Sequence, residues 1–273
     1  MQNHSLNVTE SLIYANLFRK DLLRIMKLQQ LYSYTRRAID TWQMIDEGDK
    51  IAIGVSGGKD SLTMLYALKG LQRFYPKHFE LEAITVDLGL GNFNMDAVKG
   101  LCDELNIPYT IVSTEIGPII FDQRHEKNPC SLCAKMRKGA LNNKALELGC
   151  NKIAYGHHRD DLVETMLMSL IYEGRFYAFP PVTKLERTGL TVIRPLLYMT
   201  EPDIIGFARK QNLPVAKSPC PANGHTRREY TKNLMHQINR ENPGAIDKMF
   251  TAILNGNIAD WPQSVPNPRY HNP

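Results

Sequence analysis

From Lys50 onward, short apolar runs alternate with stretches of helical period, and that alternation restricts the fold more than any other feature of the sequence. Segments 51–55, 81–87, 109–112, 152–155 and 191–196 read as strands, and 62–74, 95–105, 134–148, 160–172 and 202–211 as the helices between them. Strands and helices alternating at this length predict an α/β fold with a mostly parallel sheet covered on both faces. In such sheets ligands bind beyond the carboxyl ends of the strands. The Gly/Asp-rich segments 56–61, 87–92 and 156–161 each follow a strand, so they are expected to converge on one crevice.

Three regions are expected: a helical N-terminal segment over 1–47, the nucleotide-binding domain over 48–215, and a basic helical C-terminal segment over 216–273. Basic residues concentrate in the outer two, as Arg19, Lys20, Arg24, Lys27, Arg36 and Arg37, and as Lys217, Arg227, Arg228, Lys232 and Arg240. Two basic flanks suit a polyanion partner, although solvated helix faces would give the same pattern. No apolar run reaches the roughly 18 residues that span a bilayer. The start Met1-Gln2-Asn3-His4-Ser5 does not read as a signal peptide, so a cytoplasmic protein without membrane contact is expected.

Ser56-Gly57-Gly58-Lys59-Asp60-Ser61 lies between a strand and a helix. Adjacent glycines let backbone N–H groups approach an anion, and the helix points its positive end at the same place. Lys59 and the hydroxyls of Ser56 and Ser61 add donors. The spacing is not that of the Walker A loop. Of the five cysteines, Cys102 and Cys150 sit in apolar surroundings and are expected to be buried. Cys130 and Cys133 form a Cys-x2-Cys unit, and Cys220 lies in Pro219-Cys220-Pro221. On the residues alone this trio could be a redox pair, part of a zinc site, or three thiolates for an iron–sulfur cluster.

The six residues 56–61 match the pyrophosphate-binding loop of the N-type ATP pyrophosphatases, which transfer AMP from ATP to an oxygen and so make it a leaving group. Together with residues 129–141, the Gly156-His157-His158-Arg159-Asp160-Asp161 segment and the late Pro219-Cys220, the chain resembles the tRNA 2-thiocytidine synthetases, relatives of the tRNA 2-thiouridine synthetases. The resemblance covers about residues 50 to 235 and implies an adenine nucleotide α-hydrolase-like domain. It implies ATP and Mg²⁺ on Ser56–Ser61, Asp87, Gly156 and His157, and a 4Fe–4S cluster held by Cys130, Cys133 and Cys220 with one iron open. Lys59, Arg137 and Asp160 or Asp161 are then the candidates for catalysis, with Asp160 alternatively a helix N-cap and Arg137 alternatively a surface cation. The implied partners are a tRNA anticodon stem-loop carrying a target cytidine, sulfide or a cysteine desulfurase donor system, and a second copy of the chain. Two departures stand out: no second cysteine follows Cys220 by three residues, and terminal zinc-finger cysteine pairs are absent. Rival expectations are a PP-loop pyrophosphatase acting on another base or a small molecule, a cluster-dependent desulfidase, and an RNA-binding module without chemistry.

Overall fold

The computed structural model describes residues 27–91, 95–123, 129–216, 227–256, 258 and 260–264. Its strands are β1 (Asp49–Gly54), β2 (Phe79–Asp87), β3 (Tyr109–Ser113), β4 (Lys152–Ala154), β5 (Val182–Lys184) and β6 (Thr191–Ile193). They form one sheet in the order β3-β2-β1-β4-β6-β5, parallel throughout except for the β5–β6 pair. Ile51, Ala52 and Ile53 are fully buried because β1 is covered on both faces, which is why the strand reads as an unbroken apolar run.

Its helices are α1 (Leu28–Thr41), α2 (Lys59–Leu71), α3 (Met95–Glu104), α4 (Pro129–Glu147), α5 (Arg159–Glu173), α6 (Glu201–Lys210), α7 (Arg227–Glu241) and α8 (Ala245–Asn255). A short helical stretch, Ile116–Pro118, runs into a π-helical turn over Ile119–Gln123. Successive β1 side chains point to opposite faces. Ile51 and Ile53 join the larger core with Leu31 of α1, Leu62 of α2, Val163 of α5 and Phe207 of α6. Ala52 joins Ile84, Ile153 and the α4 residues Leu141 and Ala145 on the other face.

Several boundaries differ from the sequence reading for identifiable reasons. β6 stops at Ile193, before Arg194-Pro195, where a ring nitrogen cannot extend the ladder. α4 begins at Pro129 rather than after Cys133. Proline suits the first helical position because its missing N–H would be unbonded there, so both cysteines of the Cys-x2-Cys unit sit inside the helix. Cys102 and Cys150 are buried, and burial pushes both thiols up to about 11, which keeps them protonated. Within residues 1–47, the described helix covers only Leu28–Thr41, and the expected helix before residue 27 lies outside the described residues.

Candidate active site

The strand order places β1 beside both β2 and β4, so the chain's successive crossovers change direction between β1 and β4. Such a switch point leaves a crevice at the strands' carboxyl ends. Here the crevice is a cavity of about 350 Å³ lined by Ser56, Asp60 and Ser61 after β1 and by Gly156, His157 and Asp161 after β4. Arg137 and Lys138 of α4 form its far wall. An adjoining cavity of about 260 Å³ shares Ser56, Val86 and Arg137 and adds Asp87 and Ala216.

The loop after β1 is held by its own hydroxyls. Ser56 N donates to Ser61 Oγ (3.1 Å), Ser61 Oγ donates to the Gly58 carbonyl (3.0 Å), and Gly58 N donates to Ser56 Oγ (3.4 Å). Gly57 has φ +72°, a conformation that side chains with a Cβ rarely adopt. Gly58 is the N-cap of α2 and offers no side-chain cap, so the positive end of that helix opens onto the cavity. Behind the loop, Tyr109 OH donates to Thr85 Oγ1 (2.9 Å), which donates to the Val55 carbonyl (2.8 Å).

The second wall is the start of α5. His158 caps this helix: its Nδ1 accepts from Asp161 N (3.5 Å), and Asp161 Oδ2 accepts from His158 N (3.0 Å). That reciprocal pair turns the Asp161 carboxylate toward the cavity. Burial works against the Asp161 charge, but His158, including its backbone N–H, and Arg228 outweigh it and hold its pKa below the usual carboxylate range. Arg228 of α7 donates to Asp161 Oδ1 (3.1 Å). Asp160 is not the cap; it is 3% exposed and accepts from Glu201 N (2.8 Å), fastening α6 to α5. Gly156 leaves no room for a side chain, since a Cβ would lie 3.0 Å from the Asp60 carbonyl carbon and 3.1 Å from Ser61 N.

His157 lies over Phe179 (ring centroids 4.9 Å apart), and Arg194 covers the same Phe179 ring (4.9 Å). Burial pushes the His157 imidazole down to about 3, so it is neutral, and its buried Nδ1 has no hydrogen-bond partner among the described residues. Asp60 Oδ1 is likewise buried without a hydrogen bond; its neighbours are Lys59 Nζ at 3.1 Å and His158 Nε2 at 3.6 Å. Asp60 and Asp161 therefore present two hard oxygen donors to the cavity, a set that fits a Mg²⁺ carried in by phosphates.

Lys59 points elsewhere. Its Nζ lies 3.1 Å from Asp60 Oδ2 and 3.1 Å from Glu201 Oε1. The side chain lines a separate hollow of about 640 Å³ beside Ala208 and Arg209 of α6. Cys130 is exposed and Cys133 is buried on the first turn of α4, where Cys133 packs against Ile116 and Ile120. Three residues apart on one helix, the two sulfurs share a side, and soft thiolates of this kind fit an iron–sulfur group. Cys220 lies outside the described residues. Ala216, the last described residue before it, donates its N–H to the Gly57 carbonyl (3.0 Å).

Residues 26–239 match the PP-loop domain. The tRNA-cytidine(32) 2-sulfurtransferase of Geobacter sulfurreducens is 36% identical over 233 residues, 84% of this chain and 91% of its own length. The enzyme of that name from Cellvibrio japonicus is 38% identical over 240 residues, 87% of this chain and 80% of its own. This chain belongs to the PP-loop family, on its tRNA-cytidine(32) 2-sulfurtransferase branch. Among solved structures, the U34-tRNA thiolase NcsA from Methanococcus maripaludis with its 4Fe–4S cluster aligns with a TM-score of 0.65 at 27% identity, over 80% of this chain and 75% of that one.

The sequence reading of this PP-loop chain did not single out Glu201, Arg228, Lys232, Phe179 or Arg194 as site residues. Glu201 and Lys232 are separated by 31 residues and meet only through the fold. The expected basic flanks are also engaged internally: Arg36 pairs with Asp40, Arg37 covers the Tyr198 ring, and Arg227 covers the Tyr172 ring.

Proposed function

We propose that this chain is an ATP-dependent tRNA sulfurtransferase that replaces the C2 oxygen of a tRNA cytidine, at position 32, with sulfur. The observation that carries the reading is the α4 wall: Arg137 lines the same cavity as Ser56 and Ser61, one helical turn beyond Cys133. One helix thus connects the thiols to the phosphate loop.

In the proposed sequence, the loop amides, Ser56, Ser61 and the start of α2 bind the β- and γ-phosphates of ATP. Asp60 and Asp161 hold the Mg²⁺ that screens them. The target base leaves its stack to enter the cavity, where the His157–Phe179 shelf offers it an aromatic face. Its O2 attacks the α-phosphorus and pyrophosphate leaves; sulfide then adds to C2, and AMP departs with the former O2. Arg137 stabilises the negative charge on the AMP-bearing oxygen as that bond breaks. Cys130, Cys133 and Cys220 would hold a 4Fe–4S cluster, which would supply a place for sulfide beside the activated carbon. Sulfide would come from a cysteine desulfurase system, and the enzyme would act in the cytoplasm as a homodimer. We place the tRNA over α4, where Lys135, Arg137 and Lys138 have no ion-pair partner among the described residues.

Anaerobic purification followed by iron and sulfide analysis tests this reading. About four irons per chain, lost in Cys133→Ala and in Cys220→Ala together with thiolation of the tRNA, is the expected result. Zinc in place of iron, with undiminished thiolation, would refute it.

A further inference from the structure

The lysine of the phosphate loop is already occupied. Glu201, the first residue of α6, is 9% exposed, and its Oε1 lies 3.1 Å from Lys59 Nζ and 2.7 Å from Lys232 Nζ. Its backbone N–H donates to Asp160 Oδ2 (2.8 Å), which anchors the start of α6 against α5. The hold also has a direction. Lys59 lines the hollow on the α6 side and contributes to neither cavity that contains Ser56.

We propose that Glu201 is a positioning residue for Lys59: it holds the lysine on the α6 side of the loop, and the pyrophosphate moiety competes with it for that ammonium. Lys232 makes the exchange feasible. A buried carboxylate stripped of its only cation would be costly, but Glu201 keeps Lys232 at 2.7 Å when Lys59 departs. Two cations on one oxygen therefore have separate roles, one mobile and one fixed. Asp60, which also contacts Lys59, belongs to the loop itself and can accompany the lysine (3.1 Å). The proposal rests on residues 56–61 being a pyrophosphate cradle.

Calorimetric titration of inorganic pyrophosphate at fixed Mg²⁺ and salt tests it in wild type, Glu201→Gln, Lys59→Met and the double variant. Releasing the competitor should tighten binding about 5–50-fold in Glu201→Gln. The same change made in the Lys59→Met background should do less than about twofold, because a residue acting through another is silent once that other is gone. Lys232→Met is the second arm: it leaves Lys59 as the only cation on Glu201, strengthens the hold and should weaken binding, again only when Lys59 is present. In ATP turnover Glu201→Gln should lower KM with kcat unchanged, since the competition acts on ground-state binding. Unchanged or weaker binding in Glu201→Gln would overturn the proposal, as would a gain that persists in the double variant, which is plain electrostatics. A wild-type protein that does not bind pyrophosphate would overturn the cradle and the proposal together, whereas a binding wild type with a silent Glu201→Gln would overturn the proposal alone.

Discussion

Replacing Gly156 with alanine asks whether the two walls of the cavity are as closely apposed as the distances say. The added Cβ would lie 3.0 Å from the Asp60 carbonyl carbon and 3.1 Å from both the Asp60 oxygen and Ser61 N. Comfortable separations for such pairs are about 3.5–4.0 Å, so the first turn of α2 must give by a few tenths of an ångström. These are backbone atoms, with no flexible tip to swing aside. Overpacking of this kind costs about 1–3 kcal/mol, and alanine's smaller unfolded-state entropy returns about 0.4–1 kcal/mol. The net loss of about 0–2.6 kcal/mol corresponds to a Tm fall of up to about 5–10 °C for a domain of this size. Function should suffer more. Displacing one loop N–H from a phosphate forfeits a charge-assisted hydrogen bond of about 1.5–3 kcal/mol, or about 10–150-fold in affinity for a non-hydrolysable ATP analogue. Gly139→Ala is the control: nothing lies within 4 Å of its Cβ, and a helical Gly-to-Ala change there should stabilise by about 0.5–1 kcal/mol without altering nucleotide affinity. If Gly156→Ala keeps wild-type Tm and nucleotide affinity, the proposed apposition of the α5 lead-in and the phosphate loop is wrong.

His157 has a folded pKa of about 3 against an unfolded value near 6.5, so the unfolded chain binds the extra proton first as pH falls. Stability should drop by up to about 2 kcal/mol between pH 6.5 and 5; urea unfolding of His157→Gln should show a flatter profile, and an unchanged one would refute the buried neutral imidazole. Arg228→Met removes a cation that lowers both the Asp161 and the Glu164 pKa. The acid limb of the kcat/KM profile should therefore move to higher pH, and an unshifted limb would remove Asp161 from the reaction. Lys135→Glu on the exposed face of α4 should weaken tRNA binding and reduce the salt slope by about 1 while leaving ATP affinity unchanged; tRNA affinity equal to wild type would move the docking surface elsewhere.

Buried parallel strands write themselves into a sequence as apolar runs, which is why β1, with Ile51-Ala52-Ile53, was legible. β5 was not: Val182–Lys184 is three residues long and at most half-buried, too short and too wet to show a period. The phosphate loop was legible because its requirements are local, two glycines and two hydroxyls within six residues. The segment around Asp160 and Asp161 was located, but its division of labour was not. Adjacent residues on a helix face different directions, so Asp161 meets the cavity while Asp160 meets the backbone of α6. Lys59 was expected at the phosphates, and nothing local to residue 59 announces Glu201 across 142 positions. Cys130 and Cys133 stood out by spacing alone, whereas the sequence reading began the helix at Ala134 and so left both outside α4, which the structure starts at Pro129.

β1 is hydrogen-bonded along both edges, to β2 over Asp49–Gly54 and to β4 over Ile51–Ile53. α4, by contrast, buries only Cys133, Leu141 and Ala145 of its 19 residues. Amides in the middle of β1 should therefore exchange with solvent deuterium only when the whole domain opens, and those of α4 through much cheaper local excursions. Under rising heat or denaturant, the helix that carries Cys130 and Cys133 should loosen before the strand beneath the loop does.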